Sequence, residues 1–344
     1  MYLSQNQLVQ LPTAFGDLAA LEVLGISANK LTFLPKSMAN LKNLHILNLD
    51  SNHFSYFPRE ICCLANLIKL SLSGNRLVSL PKEVSEMVNL RELSLNENKL
   101  TFLPRQLFDL SNLEELSLHG NHLTALSGEI KKLQELRVLN VSKNRISVVT
   151  EGISDCRNLR RLSLRENQIK GMCHLQKLAV LKCSGNVLKE VPIEISKCTL
   201  LTAVDLSSNR LLRIPLGICS LVTLRHLNLS CNSLTQLPEE LSKLCSLKEL
   251  DVSDNALQMI PDSIGDLKNL SKLMLDNNNL TQLPRSISSM ECLQSISAKG
   301  NLQCDICWSG KRNAFYYCMH CKIHSNRWCT TNVNAEHVLG WWHS

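Results

Sequence analysis

The residues with the widest choice of chemistry crowd into the end of the chain. Residues 302–344 hold all four Trp, five of the fifteen Cys and four of the ten His. Within them Cys304 and Cys307 form one C-x-x-C pair, and Cys318 and Cys321 form a second after ten intervening residues. Zinc takes four ligands in a tetrahedron and favours thiolate sulfur, so two such pairs supply a complete structural site. A tail without metal is the competing reading, and a disulfide cap in an oxidising compartment is a third. Elsewhere the reactive types are dispersed. His45, His119, His174 and His226 stand at no recognisable spacing from an acid and a nucleophile, so the sequence offers catalysis no foothold and the expectation is a protein that is not an enzyme.

The elements that position everything else are set by a repeat. Asparagine recurs at Asn6, Asn29, Asn52, Asn75, Asn98, Asn121, Asn144 and Asn167, then at Asn186, Asn209, Asn232, Asn255, Asn278 and Asn301. Every step is 23 residues except that from Asn167 to Asn186, which is 19. Before each Asn after the first stands a form of L-x-x-L-x-L-x-x-N, as in Leu67, Leu70, Leu72 and Asn75. The alternating pair predicts a short strand with two apolar side chains turned inward and their neighbours turned out. The Asn amide, both donor and acceptor, can satisfy backbone groups of its own turn and of the adjacent one.

The second half of the repeat reads L-P-x-x-I-x-x-L, as in Leu237, Pro238, Leu241 and Leu244. Its apolar spacing is helical, and all ten prolines fall in this one slot. The reading places Pro at the first position of a short helix, where a missing N–H costs nothing. Strands on one side and wider helices on the other predict an α/β solenoid of right-handed, horseshoe form, with a parallel sheet on the concave face and short helices or turns on the convex face. Fourteen strands at about 4.8 Å would give an inner arc of roughly 60 Å. The repeat domain is expected over residues 1–301 and a separate Cys/His/Trp-rich tail over 302–344.

Outward strand residues form the candidate site. In the central repeats they include Arg91, Arg137, Arg160, Arg161 and Arg165; nearer the carboxyl end they include Asp205, Glu249, Asp251 and Asp276. A face with a basic and an acidic pole can orient a protein partner and speed its encounter. An ordinary solvated face is the alternative, since Glu92, Glu114 and Glu115 already offset the arginines. Between Asn121 and Asn186 the proline slot is filled by Ser127 and Thr150, and then four residues are lost, so the helical side shortens beside Arg160, Arg161 and Arg165.

Composition narrows the classes. Lys plus Arg number 37 against 30 Asp plus Glu, a formal net charge of +7 spread over a long surface, which gives no reason to expect nucleic acid. Ten cysteines are scattered through the repeats without regular pairing, and Cys62, Cys219 and Cys245 fall on or near the apolar helical stripe, so free thiols in a reducing compartment are expected. No basic residue precedes Lys30 and no apolar run is long enough to span a bilayer. Sequons at Asn140 and Asn228 lie in expected strands, where a glycan would obstruct the face.

These repeats resemble intracellular leucine-rich-repeat proteins of the L-P-x-x-I type, a group that includes Ras-binding scaffolds and cell-polarity proteins. The run from Cys183 to Leu229 is more particularly similar to the leucine-rich-repeat and death-domain-containing family, although no death domain fits after Asn301. The resemblance implies a cytoplasmic scaffold that binds protein, with a small GTPase or a phosphatase as partner class, and carries over no catalytic residue. The tail, with CDIC, FYYC, MHC, His324 and Cys329, is similar to cysteine-rich C1-like fingers but lacks their leading His. That likeness implies an interleaved zinc site of Cys304, Cys307, His324 and Cys329. The expected function is therefore a protein-binding scaffold. A zinc-dependent or ubiquitin-ligase-like adaptor and a fragment of an extracellular recognition receptor stand as alternatives. Both ends read as incomplete, since Met1 opens in mid-repeat.

Overall fold

The computed structural model describes residues 1–171 and 177–301, and the backbone of 315–317. The first seven strands are β1 (Val23–Gly25), β2 (Ile46–Asn48), β3 (Lys69–Ser71), β4 (Glu92–Ser94), β5 (Glu115–Ser117), β6 (Val138–Asn140) and β7 (Arg161–Ser163). There follow β8 (Val180–Lys182), β9 (Ala203–Asp205), β10 (His226–Asn228), β11 (Glu249–Asp251), β12 (Lys272–Met274), β13 (Ser295–Ser297) and β14 (Phe315–Tyr317). They pair in chain order as one parallel sheet, with Leu70 opposite Leu47 and Leu93, and β14 beside β13. This is the solenoid expected from the repeat, with the sheet on its concave side.

Between strands the chain crosses the convex side in short helices. Nearly all are five-residue 3-10 turns, such as Lys82–Glu86, and one is a four-residue α-helix at Leu216–Cys219. Proline stands one place earlier than the sequence reading put it: Pro35 and Pro238 are N-cap residues with extended backbone, whose carbonyls accept from Met38 N–H and Leu241 N–H. A proline there keeps its fixed φ, and no helical donor is lost because the helix begins after it. Where proline is absent, Ser127 caps instead, its hydroxyl accepting from Glu129 N–H at 3.2 Å.

One repeat shows how the core is built. Leu67, Leu70, Leu72, Leu77, Val84 and Met87 are all fully buried. Each such side chain contributes about 1.5–3 kcal/mol relative to exposure, and only stacking against the next repeat shields it. The asparagine column locks that stacking. Asn52 donates to Leu49 O in its own repeat at 3.1 Å and to Ile26 O in the previous one at 2.9 Å, while its Oδ1 accepts from Leu31 N–H at 3.0 Å. The column survives the short repeat: Asn186 donates to Leu164 O at 2.9 Å, and β8 pairs with both β7 and β9. Shortening therefore falls on the helical side, and the described residues between β7 and β8 contain no helix.

The residue just before each ladder asparagine has a positive φ, including Glu97, Lys143, Glu166 and Asp254 at 49–54° where glycine is absent. Nothing in the sequence period announces this. The left-handed turn costs a non-glycine residue about 1–2 kcal/mol, and it aims the Asn inward while the turning N–H reaches the next repeat, as Glu97 N–H does to His119 O at 2.7 Å.

Candidate binding surface

Because parallel neighbours pair one to one, outward side chains of the sheet stand in columns running along the solenoid. Arg91, Glu114, Arg137 and Arg160 share the column one residue ahead of β4 to β7. Glu114 lies between two arginines, 3.0 Å from Arg91 and 3.3 Å from Arg137. These two candidate cations already share a carboxylate. One repeat on, the balance breaks: Arg161 is exposed and has no ion-pair partner among the described residues, and Nη1 of Arg160 is buried without an acceptor.

Arg165 and Asp205, read from the sequence as members of opposite poles, make a single ion pair. Arg165 Nη2 is 3.0 Å from Asp205 Oδ2, and its Nε donates to Ser184 Oγ at 2.8 Å. The Asp205 side chain is fully buried and also accepts from the Ser207 hydroxyl and N–H, at 2.7 and 3.1 Å. Lys182 stands between them in register with Asp205 on the next strand; burial, followed by the nearby Arg165 charge, holds its ammonium below the usual lysine range. Sequence reading passed over Lys182 because it occupies the short repeat. The β7–β9 segment thus sets Arg165 and Lys182 beside one carboxylate, with Arg161 close enough for its charge to act on Lys182.

The acidic pole is largely engaged within the chain. Glu249 lies 3.2 Å from His226 and 3.9 Å from Lys272, and the His226 hydrogen bond holds its carboxyl below the usual range. Asp251 accepts from Ser253 N–H at 2.9 Å and is pushed up chiefly by burial. Asp276 accepts from Ser297 Oγ at 2.5 Å and Lys299 N–H at 2.6 Å. A short side-chain acceptor that ties down the backbone beyond its strand recurs at Asn48, Asn140 and Asn228. Asp205, Asp251 and Asp276 therefore brace strand ends as well as carry charge.

The structure also shows a second polar column that the sequence reading missed. At the opposite edge, where the chain re-enters the sheet, Asn43, Asn66, Asn89 and Asn112 each donate to the carbonyl 24 residues earlier, at 2.9 Å. Asn158 and Asn269 do the same at 3.0 and 2.7 Å. The 23-residue spacing of the first four is visible in the sequence, but an exposed column leaves no apolar signature to draw attention to it.

Cys62 and Cys219 are buried as expected, with thiols pushed up to about 12 and about 11 by burial, which makes them inert. Cys245 is exposed instead, because the apolar stripe resumes one residue earlier, at Leu244. None of the nine described cysteines outside the tail is in a disulfide. Among the described residues no His, Cys, Asp and Glu cluster could hold a metal, and no helix is long and apolar enough to cross a membrane. Cys304, Cys307, Cys318, Cys321, His324 and Cys329, together with His174, lie outside the described residues.

The family model described as leucine rich repeat matches residues 1–54, 65–123 and 112–169, and that described as leucine-rich repeat region matches 193–306. A leucine-rich-repeat protein of Leptospira interrogans is 36% identical, with a TM-score of 0.84 over 86% of this chain and 76% of that one. An internalin of Listeria monocytogenes shares the fold at 21% identity, with a TM-score of 0.75 over 86% and 85% of the two chains. A plant peptide hormone receptor, solved in complex with its peptide, does so at 24% identity, with a TM-score of 0.69 over 88% and 59%. No curated protein is similar enough by sequence to count as a match.

Proposed function

The chain belongs to the leucine-rich-repeat family, and on that premise we propose that it is a protein-binding scaffold whose partner docks on the concave sheet at β6 to β9. One observation carries this reading: Arg161 is exposed on the sheet with no ion-pair partner among the described residues, whereas the flanking Arg91, Arg137 and Glu249 are already paired. A partner that presents an acidic patch would pair with the exposed Arg161, and charge-assisted bonds to arginine are the stronger kind.

In this reading the protein acts in the cytoplasm, which the free thiols support, and has no catalysis of its own. The likeness to intracellular L-P-x-x-I repeats, and to the leucine-rich-repeat and death-domain family, favours a small GTPase or a phosphatase as the partner and signalling as the setting. The domain boundary is placed at Asn301, with residues 302–344 as an appended module in which the two C-x-x-C pairs hold zinc. Capture of cytosolic proteins on the full chain, compared with an Arg160→Glu/Arg161→Glu variant, tests the site. A defined set of proteins lost from the variant and regained when their own acidic patch is reversed is the expected result. Identical capture by both would remove the concave cluster as the docking site.

A further inference from the structure

The concave sheet is not where the chain's charge is most unbalanced. After each ladder asparagine the chain leaves the sheet along one edge of the solenoid, and the repeat places corresponding segments side by side there. Consider the four residues that follow each asparagine from Asn29 to Asn167, seven segments in all. Their first positions run Lys30, His53, Arg76, Lys99, His122 and Arg145 in six successive repeats, and Lys170 lies in the seventh segment. None of the seven contains Asp or Glu, although acids number 30 in the whole chain. Arg76, Lys99 and Arg145 are exposed and make no ion pair among the described residues, and Lys30 reaches only the amide of Gln7, at 3.2 Å.

The same segments carry large apolar side chains turned to solvent. Phe33 is 54% exposed, Tyr56 79%, Phe102 57% and Val148 65%. They stand at the fourth position, beyond the cations and toward the convex side. Ser79, Ala125 and Gly171 hold that position in the other three segments, so a basic row, with His53 and His122 between the fixed cations, runs beside an interrupted apolar one. Isolated exposed apolar residues need no explanation, but a row of them beside an unopposed cationic row does.

We propose that this edge seats the protein on a membrane surface bearing anionic phospholipid. The cations would lie at the level of the headgroups while Phe33, Tyr56, Phe102 and Val148 enter the boundary with the acyl chains, the division of labour of interfacial amphipathic segments. Single-stranded nucleic acid would also meet a cationic row, but it needs rings on which bases stack along a groove. Here aliphatic Val148 and the small Ser79 and Ala125 occupy an aromatic's slot. The edge is separate from the concave cluster, so a protein could occupy that face at the same time.

Cosedimentation of the full chain with phosphatidylcholine vesicles containing about one-third phosphatidylserine tests the proposal. Binding should weaken by about tenfold or more in Arg76→Glu/Lys99→Glu/Arg145→Glu, since each reversal turns attraction into repulsion at the surface. It should also weaken in Phe33→Ser/Tyr56→Ser/Phe102→Ser, and hold in Arg161→Glu on the concave face. Circular dichroism melts of each variant establish that a loss is not unfolding. No binding by the wild type, equal binding to pure phosphatidylcholine, or wild-type binding by both triple variants would overturn it. So would a single-stranded oligonucleotide that binds through the same cations while vesicles do not.

Discussion

The concave face contains two ion pairs of equal length whose surroundings differ. Arg91 and Glu114 meet at 3.0 Å with side chains 61% and 22% exposed; Arg165 and Asp205 meet at 3.0 Å with side chains 23% and 0% exposed. The first pair sits in water that screens it and could replace it. In the second, an aspartate without access to water depends on the guanidinium and on Ser207 for its charge to be tolerated at all. The two asparagine columns differ in the same way, one buried in the turn behind the sheet and one exposed at the opposite edge. What a polar contact is worth here is set by what its partner would face if the contact were lost.

The largest effect should follow from breaking the buried pair. Arg165→Leu should cost about 3–5 kcal/mol by removing the ion-pair partner of a carboxylate without access to water and leaving it only Lys182 and Ser207, read as a drop in the urea midpoint, and adding Asp205→Leu should recover part of it. If Arg165→Leu proved as mild as a surface change, the contrast between the two pairs would collapse. Asn98→Ala comes next. It leaves Leu77 N–H inside the stack without its acceptor, while Leu72 O keeps the bond from Asn75, and about 1–3 kcal/mol should be lost, with heightened amide exchange at Leu77.

The exposed counterparts should be nearly silent. Asn89→Ala removes one bond, to Ala65 O at 2.9 Å, where water can take its place, so a loss of about 0.5–1 kcal/mol is expected from the thermal midpoint. A cost equal to that of Asn98→Ala would show that the outer column locks the stack as firmly as the inner. Arg91→Leu should be the smallest, under about 0.5 kcal/mol, since Glu114 keeps Arg137. A double-mutant cycle between Arg91 and Glu114 measures the pair itself, and a coupling above about 1 kcal/mol would mean that the face is drier than its exposure suggests.

Much of this molecule was legible in the residues alone because its determinants are local and periodic. The 23-residue step, the inward leucines and the single proline slot each specify one turn of backbone, and stacking identical turns leaves one arrangement. The asparagine column was legible for the same reason, since an amide recurring behind an apolar strand has backbone groups to serve. The fate of the outward charges was not legible. Arg165 and Asp205 are 40 residues apart with no shared motif, and whether they form two poles or one pair depends on how the short repeat brings β7, β8 and β9 side by side. Burial of Asp205 and the unanswered nitrogen of Arg160 are likewise products of packing between repeats. Sequence alone determined which side of the sheet each side chain takes, because a strand alternates. Only the tertiary stack decided which charges cancel, because an ion pair is set by the distance and the access of water between side chains that the chain order keeps apart.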